Sequence, residues 1–72
     1  MTATEFLVVL TVTKASNRDM AMSTIWRTVT VTPGTTRESL LRWAINQLPD
    51  QVRGGVVTFF SVEPNTLPGV TP

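Results

Sequence analysis

Between Glu5 and Lys14 the chain reads EFLVVLTVTK, an apolar and β-branched run that settles into strict alternation towards its end. Such a run predicts a strand, because successive side chains of an extended backbone point to opposite faces. Phe6, Val8, Leu10 and Val12 take one face; the other carries Leu7 and Val9 before it turns polar at Thr11 and Thr13. The short polar side chains of KASNRD can bond their own backbone and predict a loop. A second strand is predicted in MSTIWRTVTVTPG, Met22 to Gly34, with Ile25, Val29 and Val31 opposite in phase to Trp26, Thr28, Thr30 and Thr32. Arg27 falls in the apolar register, where an unpaired charge is costly. Either a bulge near Trp26–Arg27 shifts the phase, or the strand's first part lies beyond the core's edge. The two strands and their short loop predict an antiparallel hairpin.

Pro33–Gly34 closes the second strand, and the pattern then changes period. Leu40, Leu41, Ala44, Ile45 and Leu48 recur at the spacing of one helical stripe. Thr35 is read as the N-cap, with Glu38 three residues on completing a capping box. Pro49 and Gly54–Gly55 end the helix. VVTFFSVEP, Val56 to Pro64, is a third strand whose near-continuous apolar run suggests burial on both faces. The resulting fold class is α+β, in the order β-β-α-β, a three-stranded mixed sheet with one helix packed on one face. A right-handed crossover through the helix predicts that the third strand runs parallel to the first. Residues 1–63 are read as a single compact domain, and 64–72, with three prolines and a glycine, as an extended or disordered tail.

The alternating strand, Pro-containing turn, capping threonine and amphipathic helix of TVTVTPGTTRESLLRWAINQL, Thr28 to Leu48, resemble a truncated ubiquitin-like β-grasp domain. A hairpin precedes this stretch and a strand follows it, so the resemblance spans roughly residues 5 to 62. It implies a fold often used as a protein-binding module. Family members that are conjugated to targets end in an exposed diglycine, whereas this chain ends GVTP and holds its Gly54–Gly55 pair inside, where a turn is the ordinary explanation. No modifier or sulfur-carrier activity is therefore carried over. The abundance of Thr, Val and Arg beside a single lysine is similar to small proteins of high-GC bacteria and their mobile elements.

Several large apolar side chains have no place on the buried side. On a helical wheel of about 100° per residue, the stripe from Leu40 to Ile45 is centred near 70° and Trp43 stands about 130° away. Trp26 is out of phase with Ile25, Val29 and Val31. Phe59 and Phe60 are strand neighbours and must point to opposite faces. The sheet face away from the helix is thus expected to carry Leu7, Val9, Trp26 and one phenylalanine, taken as Phe60. Contiguous exposed apolar patches mark interfaces. Three covers fit: a second copy, a different protein, or the tail folding back through Leu67 and Val70. Trp43, beside Arg42, is read as an interface anchor, because tryptophan and arginine are enriched at interface centres; the competing reading is a ring lying over neighbouring side-chain stems.

Composition narrows the chemistry. Seventy-two residues without cysteine or histidine exclude disulfides, thiolate chemistry and nearly every zinc site. Glu38 and Asp50 are accounted for by the helix ends, no carboxylates are paired, and RGGVV lacks the lysine and following helix of a phosphate loop. The expectation is a chain that is no enzyme and takes no cofactor, metal or small-molecule substrate. The longest apolar run, Phe6 to Leu10, is too short to span a membrane, and no basic segment precedes it, so a cytoplasmic protein is expected. Six basic and five acidic residues give a net charge of +1 with no run of either sign. The leading expectation is a protein-interaction module, a homodimer or an adaptor, working through Leu7, Val9, Trp26, Phe60, Arg42 and Trp43. The alternative is an accessory nucleic-acid-binding protein in which Arg27, Arg37, Arg42 and Arg53 converge and aromatic rings stack on bases.

Overall fold

The computed structural model describes residues 4–66, and the proposed tail contacts Leu67 and Val70 lie outside them. Strands β1 (Thr4–Ser16) and β2 (Asp19–Val31) form the expected antiparallel hairpin, followed by helix α1 (Arg37–Ile45), a 3-10 turn (Asp50–Val52) and strand β3 (Val56–Pro64). The hairpin is longer than its apolar pattern, because the ladder continues through Ala15, Ser16, Asp19 and Met20 and leaves a loop of only Asn17 and Arg18. Asn17 takes a φ of 55°, a left-handed conformation that asparagine tolerates better than most residues. Strand β3 includes Pro64, and Asn65 is tied back by its N–H to the Glu5 carbonyl (2.9 Å) and by its side chain to the Glu5 carboxylate (2.7 Å). Contact with β1 therefore continues through Asn65.

The sheet order is β2-β1-β3, and β3 pairs with β1 antiparallel. The mixed sheet with parallel first and third strands is corrected to a fully antiparallel one, although the α+β class stands. The helical connection leaves from β2, so the strand it sets parallel is β2's match in direction. With β1 lying between them, β3 must then run opposite to β1.

One face of β1, Val8, Leu10 and Val12, is buried against Leu40, Ala44, Leu48, Val52 and Val62. Opposite partners share a face, so Ile25 and Phe60, which flank Leu10, also lie on the helix side. Because β3 is an edge strand, Val56, Val57 and Phe59 stay exposed, and the expectation of burial on both its faces is not met. No bulge occurs at Arg27, whose register with Val8 is regular. Its side chain is tolerated on the helix side because β2 is also an edge strand, and the guanidinium reaches solvent while Nη1 donates to the Trp26 carbonyl (2.8 Å). The irregularity sits in β3 instead, where Thr58 is the extra residue between the partners of Thr11 and Val12 and its hydroxyl donates to the Thr11 carbonyl (3.3 Å).

The helix cap is Thr36 rather than Thr35: its hydroxyl accepts from the Ser39 N–H (3.1 Å), and the Ser39 hydroxyl donates back to the Thr36 carbonyl (2.8 Å). Glu38 is left free to accept from Arg42 one turn on (2.8 Å), an exposed pair of small energetic value. The helix stops at Ile45, where the Gln47 and Leu48 N–H groups bond three residues back and tighten the chain. Arg53 then closes the end, Nη2 donating to the Asn46 carbonyl (3.2 Å) and Nε to that of Leu48 (3.3 Å), where a cation opposes the helix dipole.

Gly54 and Gly55 do form a turn, but each for its own reason. Gly54 has a φ of 81°, a region that side-chain-bearing residues seldom adopt. A Cβ on Gly55 would stand 2.6 Å from the Thr13 carbonyl oxygen and 2.9 Å from Val12 Cγ1. Both belong to the central strand, which cannot yield without disturbing two ladders. Gly55→Ala should therefore lower the unfolding free energy by about 1–3 kcal/mol in urea titration. A change below about 0.5 kcal/mol, the ordinary range of surface substitutions, would show that the strand gives way freely.

Candidate protein-interaction face

The helix covers one side of the sheet and nothing among the described residues covers the other. Register places on this open side Leu7, Val9, Thr11 and Thr13 of β1, Met20, Met22, Thr24 and Trp26 of β2, and Val56 and Phe59 of β3. They form cross-strand rows: Trp26 beside Val9 and Ser61, Thr24 beside Thr11 and Phe59, Met22 beside Thr13 and Val56. Exposure is large for side chains of this size: Trp26 65%, Met22 71%, Met20 73%, Val56 68% and Phe59 54%. Leu7 and Val9 sit half-buried between them on the central strand. Thr11 and Thr24 satisfy each other across the strands, Oγ1 to Oγ1 at 2.8 Å. That pairing leaves the middle of the face with less need of water than two free hydroxyls.

The face expected from the sequence is thus present, with one exchange. Phe60 pairs with Leu10 and packs on the core, so Phe59 is the phenylalanine of the open side. Met20, Met22 and Val56 were not singled out by the sequence pattern. The two methionines lie where the loop and the start of β2 were expected, and only the extension of the hairpin brings them into phase with Trp26.

Trp43 is also relocated. The buried helix residues are Leu40 and Ala44, and Leu48 lies past the helix end, so the stripe is centred between those two rather than nearer Ile45. From that centre Trp43 is about 80° away, the same as Leu41 on the opposite flank. Its ring is half-buried against the core, not turned out to solvent. Arg42 is exposed beside it and engaged with Glu38. Both residues are on the helix layer, on the far side of the sheet from Trp26 and Phe59.

The four arginines do not gather on the open face. Arg37 and Arg42 belong to α1, Arg53 is bound to the carbonyls at its end, and Arg27 lies on the helix side of β2. Among open-side strand positions the only charged side chains are Glu5 and Glu63, both at the end remote from the hairpin loop. A shallow depression lined by Thr36, Glu38, Ser39 and Arg42 marks the start of α1. Its polar groups are already used by the cap and the ion pair. Among the described residues no three ligating side chains stand close enough to hold a metal ion, and no helix is long and apolar enough to cross a membrane.

Both sheet edges are blunted. The two-residue loop makes Ser16–Asp19 a hydrogen-bonded pair, so the even-numbered residues of β2 direct their N–H and C=O outwards. In the middle of that row the Arg27 guanidinium occupies the Trp26 carbonyl. On the other side β3 carries the bulge at Thr58 and ends on Pro64. Charges, bulges and prolines are the devices that stop strand addition. Neither edge is therefore an open template for strand addition. No protein-family model, curated protein or solved structure matches the chain.

Proposed function

We propose that this chain is a non-enzymatic protein-interaction module that associates with a second copy of itself through the helix-free face of its sheet. The observation that carries the reading is the continuous apolar surface of Leu7, Val9, Met22, Trp26 and Phe59, with no described segment over it. Each such side chain gains roughly 1.5–3 kcal/mol on full burial. A domain this small, with eight buried apolar side chains among the described residues and no cysteine, has strong reason to enlarge its core by association. The resemblance to β-grasp domains, a fold often used for protein binding, points the same way.

Nucleic-acid binding has less support. Phosphate contacts dominate such affinity, and the aromatic side chains of the open face are accompanied by two glutamates and no base. The exposed rings Trp26 and Phe59 lie on the opposite side of the sheet from Arg27, Arg37, Arg42 and Arg53.

Sedimentation equilibrium over a hundredfold concentration range tests the proposal. A reversible dimer whose dissociation constant changes little between low and moderate salt is expected, because apolar burial is not screened. A monomer at every concentration would remove the self-association reading. Oligonucleotide binding that collapses as salt rises would put the nucleic-acid reading in its place.

A further inference from the structure

If the open face binds a second copy, its layout restricts how the copies are oriented. We infer that they pack face to face with their strands antiparallel, about a two-fold axis crossing the sheet at the row of Thr24, Thr11 and Phe59. This inference rests on the self-association proposed above and deepens it by assigning the contacts.

A closed pair of identical faces needs its two-fold axis in the plane between the sheets. Two simple choices exist, along the strands or across them. An axis along the strands sets Glu5 over the partner's Glu5 at the sheet spacing of about 10 Å and lays Glu63 against the partner's β2. Four carboxylates would then share one end of a dry interface, where like charges are strongly unfavourable. An axis across the strands moves the acidic ends to opposite extremes of the pair.

Counting rows fixes where that axis falls. The apolar part of the face runs from the row of Leu7 to the row of Ala15 and Met20, and its midpoint is the row of Thr11. Rotation about that midpoint sets the row of Phe59 against the partner's Phe59, and Trp26 against the partner's Met22, a pairing of aromatic ring with thioether. Leu7 falls over the partner's Ala15. Glu5 passes beyond the partner's last ladder pair to the level of its hairpin loop, Asn17–Arg18. Glu63 projects over the corner beside the partner's Ala15, past the start of β3 at Val56, where no strand side chain pairs with Ala15. The pattern is self-complementary in this orientation and self-repelling in the other.

The area is adequate. From Leu7 to Ala15 the contacting face is about 27 Å long and three strands make it about 14 Å wide. Its projection is about 380 Å², and side-chain relief raises the accessible area towards the lower end of the size range of specific interfaces. Since both edges are blunted, such a pair closes on itself and leaves no template for a third copy.

The chain has no cysteine, so Thr30→Cys carries a single nitroxide label at an exposed position outside the proposed contact. Pulsed dipolar EPR on the labelled protein, at a concentration where sedimentation shows the dimer, should give a separation of about 40 Å, twice the rise from the central row to Thr30. A separation under about 20 Å would overturn the antiparallel orientation while leaving self-association standing. Absence of any dipolar modulation, with a monomer in the centrifuge, would overturn both.

Discussion

Replacing Leu10 by alanine is expected to leave most of the protein unfolded at room temperature. Leu10 is completely buried at the centre of the middle strand, between Ile25 and Phe60 and beneath the helix. Truncating such a leucine removes its transfer free energy and leaves a cavity, at a combined cost of about 2–5 kcal/mol. A single core of this size supplies only about 3–5 kcal/mol of net stability, so one substitution can consume it. The site is also poorly able to collapse, since ladders on both sides hold β1 in place. Circular dichroism should show loss of the cooperative thermal transition, measured at one fixed protein concentration because dimerisation adds stability by mass action. Retention of a sharp melt within about 5 °C of the parent would mean that Leu10 is not the keystone that its burial indicates.

That burial was readable from the sequence, and the reason is geometric. Phe6, Val8, Leu10 and Val12 repeat with period two, and Trp26 stands out of phase with Ile25 and Val29, so the period alone assigns both faces of the hairpin. Legibility failed where the decisive quantity was not periodic. Ala15, Ser16, Asp19 and Met20 are weak strand formers, held extended only by pairing across a loop that Asn17 makes tight, and with them went the methionines of the open face. Phe59 and Phe60 are sorted by the register that pairs Phe60 with Leu10 and Val62 with Val8, while the bulge at Thr58 resets the phase of Val56 and Val57 and has no signature of its own. Thr35 and Thr36 are chemically equivalent caps, and the hydrogen bond to Ser39 settles which is used. Val52 lies in DQVRGG without apolar neighbours to set a period; a single 3-10 turn and the Arg53 contacts deliver it to the core. The direction of β3 escapes the pattern for a different reason: the helix joins β2 to β3, so it is β2, not β1, that β3 matches in direction.

Trp26→Asp is expected to raise the dimer dissociation constant by at least about 100-fold, equivalent to about 2.7 kcal/mol. Two effects act in the same direction. The indole is 65% exposed in the single chain and would be covered in the pair, and truncating a tryptophan at an interface centre alone commonly costs about 2–4 kcal/mol. The new carboxylate would then have to leave water for a face whose existing charges are also negative, or remain as a solvated defect between the sheets. The substitution is well suited to the question because Trp26 contributes nothing to the core beneath the helix. Diluted to where the parent is also monomeric, the variant should melt close to the parent, which separates a broken interface from a broken fold. Trp43→Ala is the contrasting case: its ring packs on the core from the helix layer, so it should lower thermal stability at every concentration and shift the association constant little. If the parent dimerises and Trp26→Asp leaves its sedimentation isotherm unchanged, the copies meet through some surface other than the open face, and Trp26 needs a different explanation.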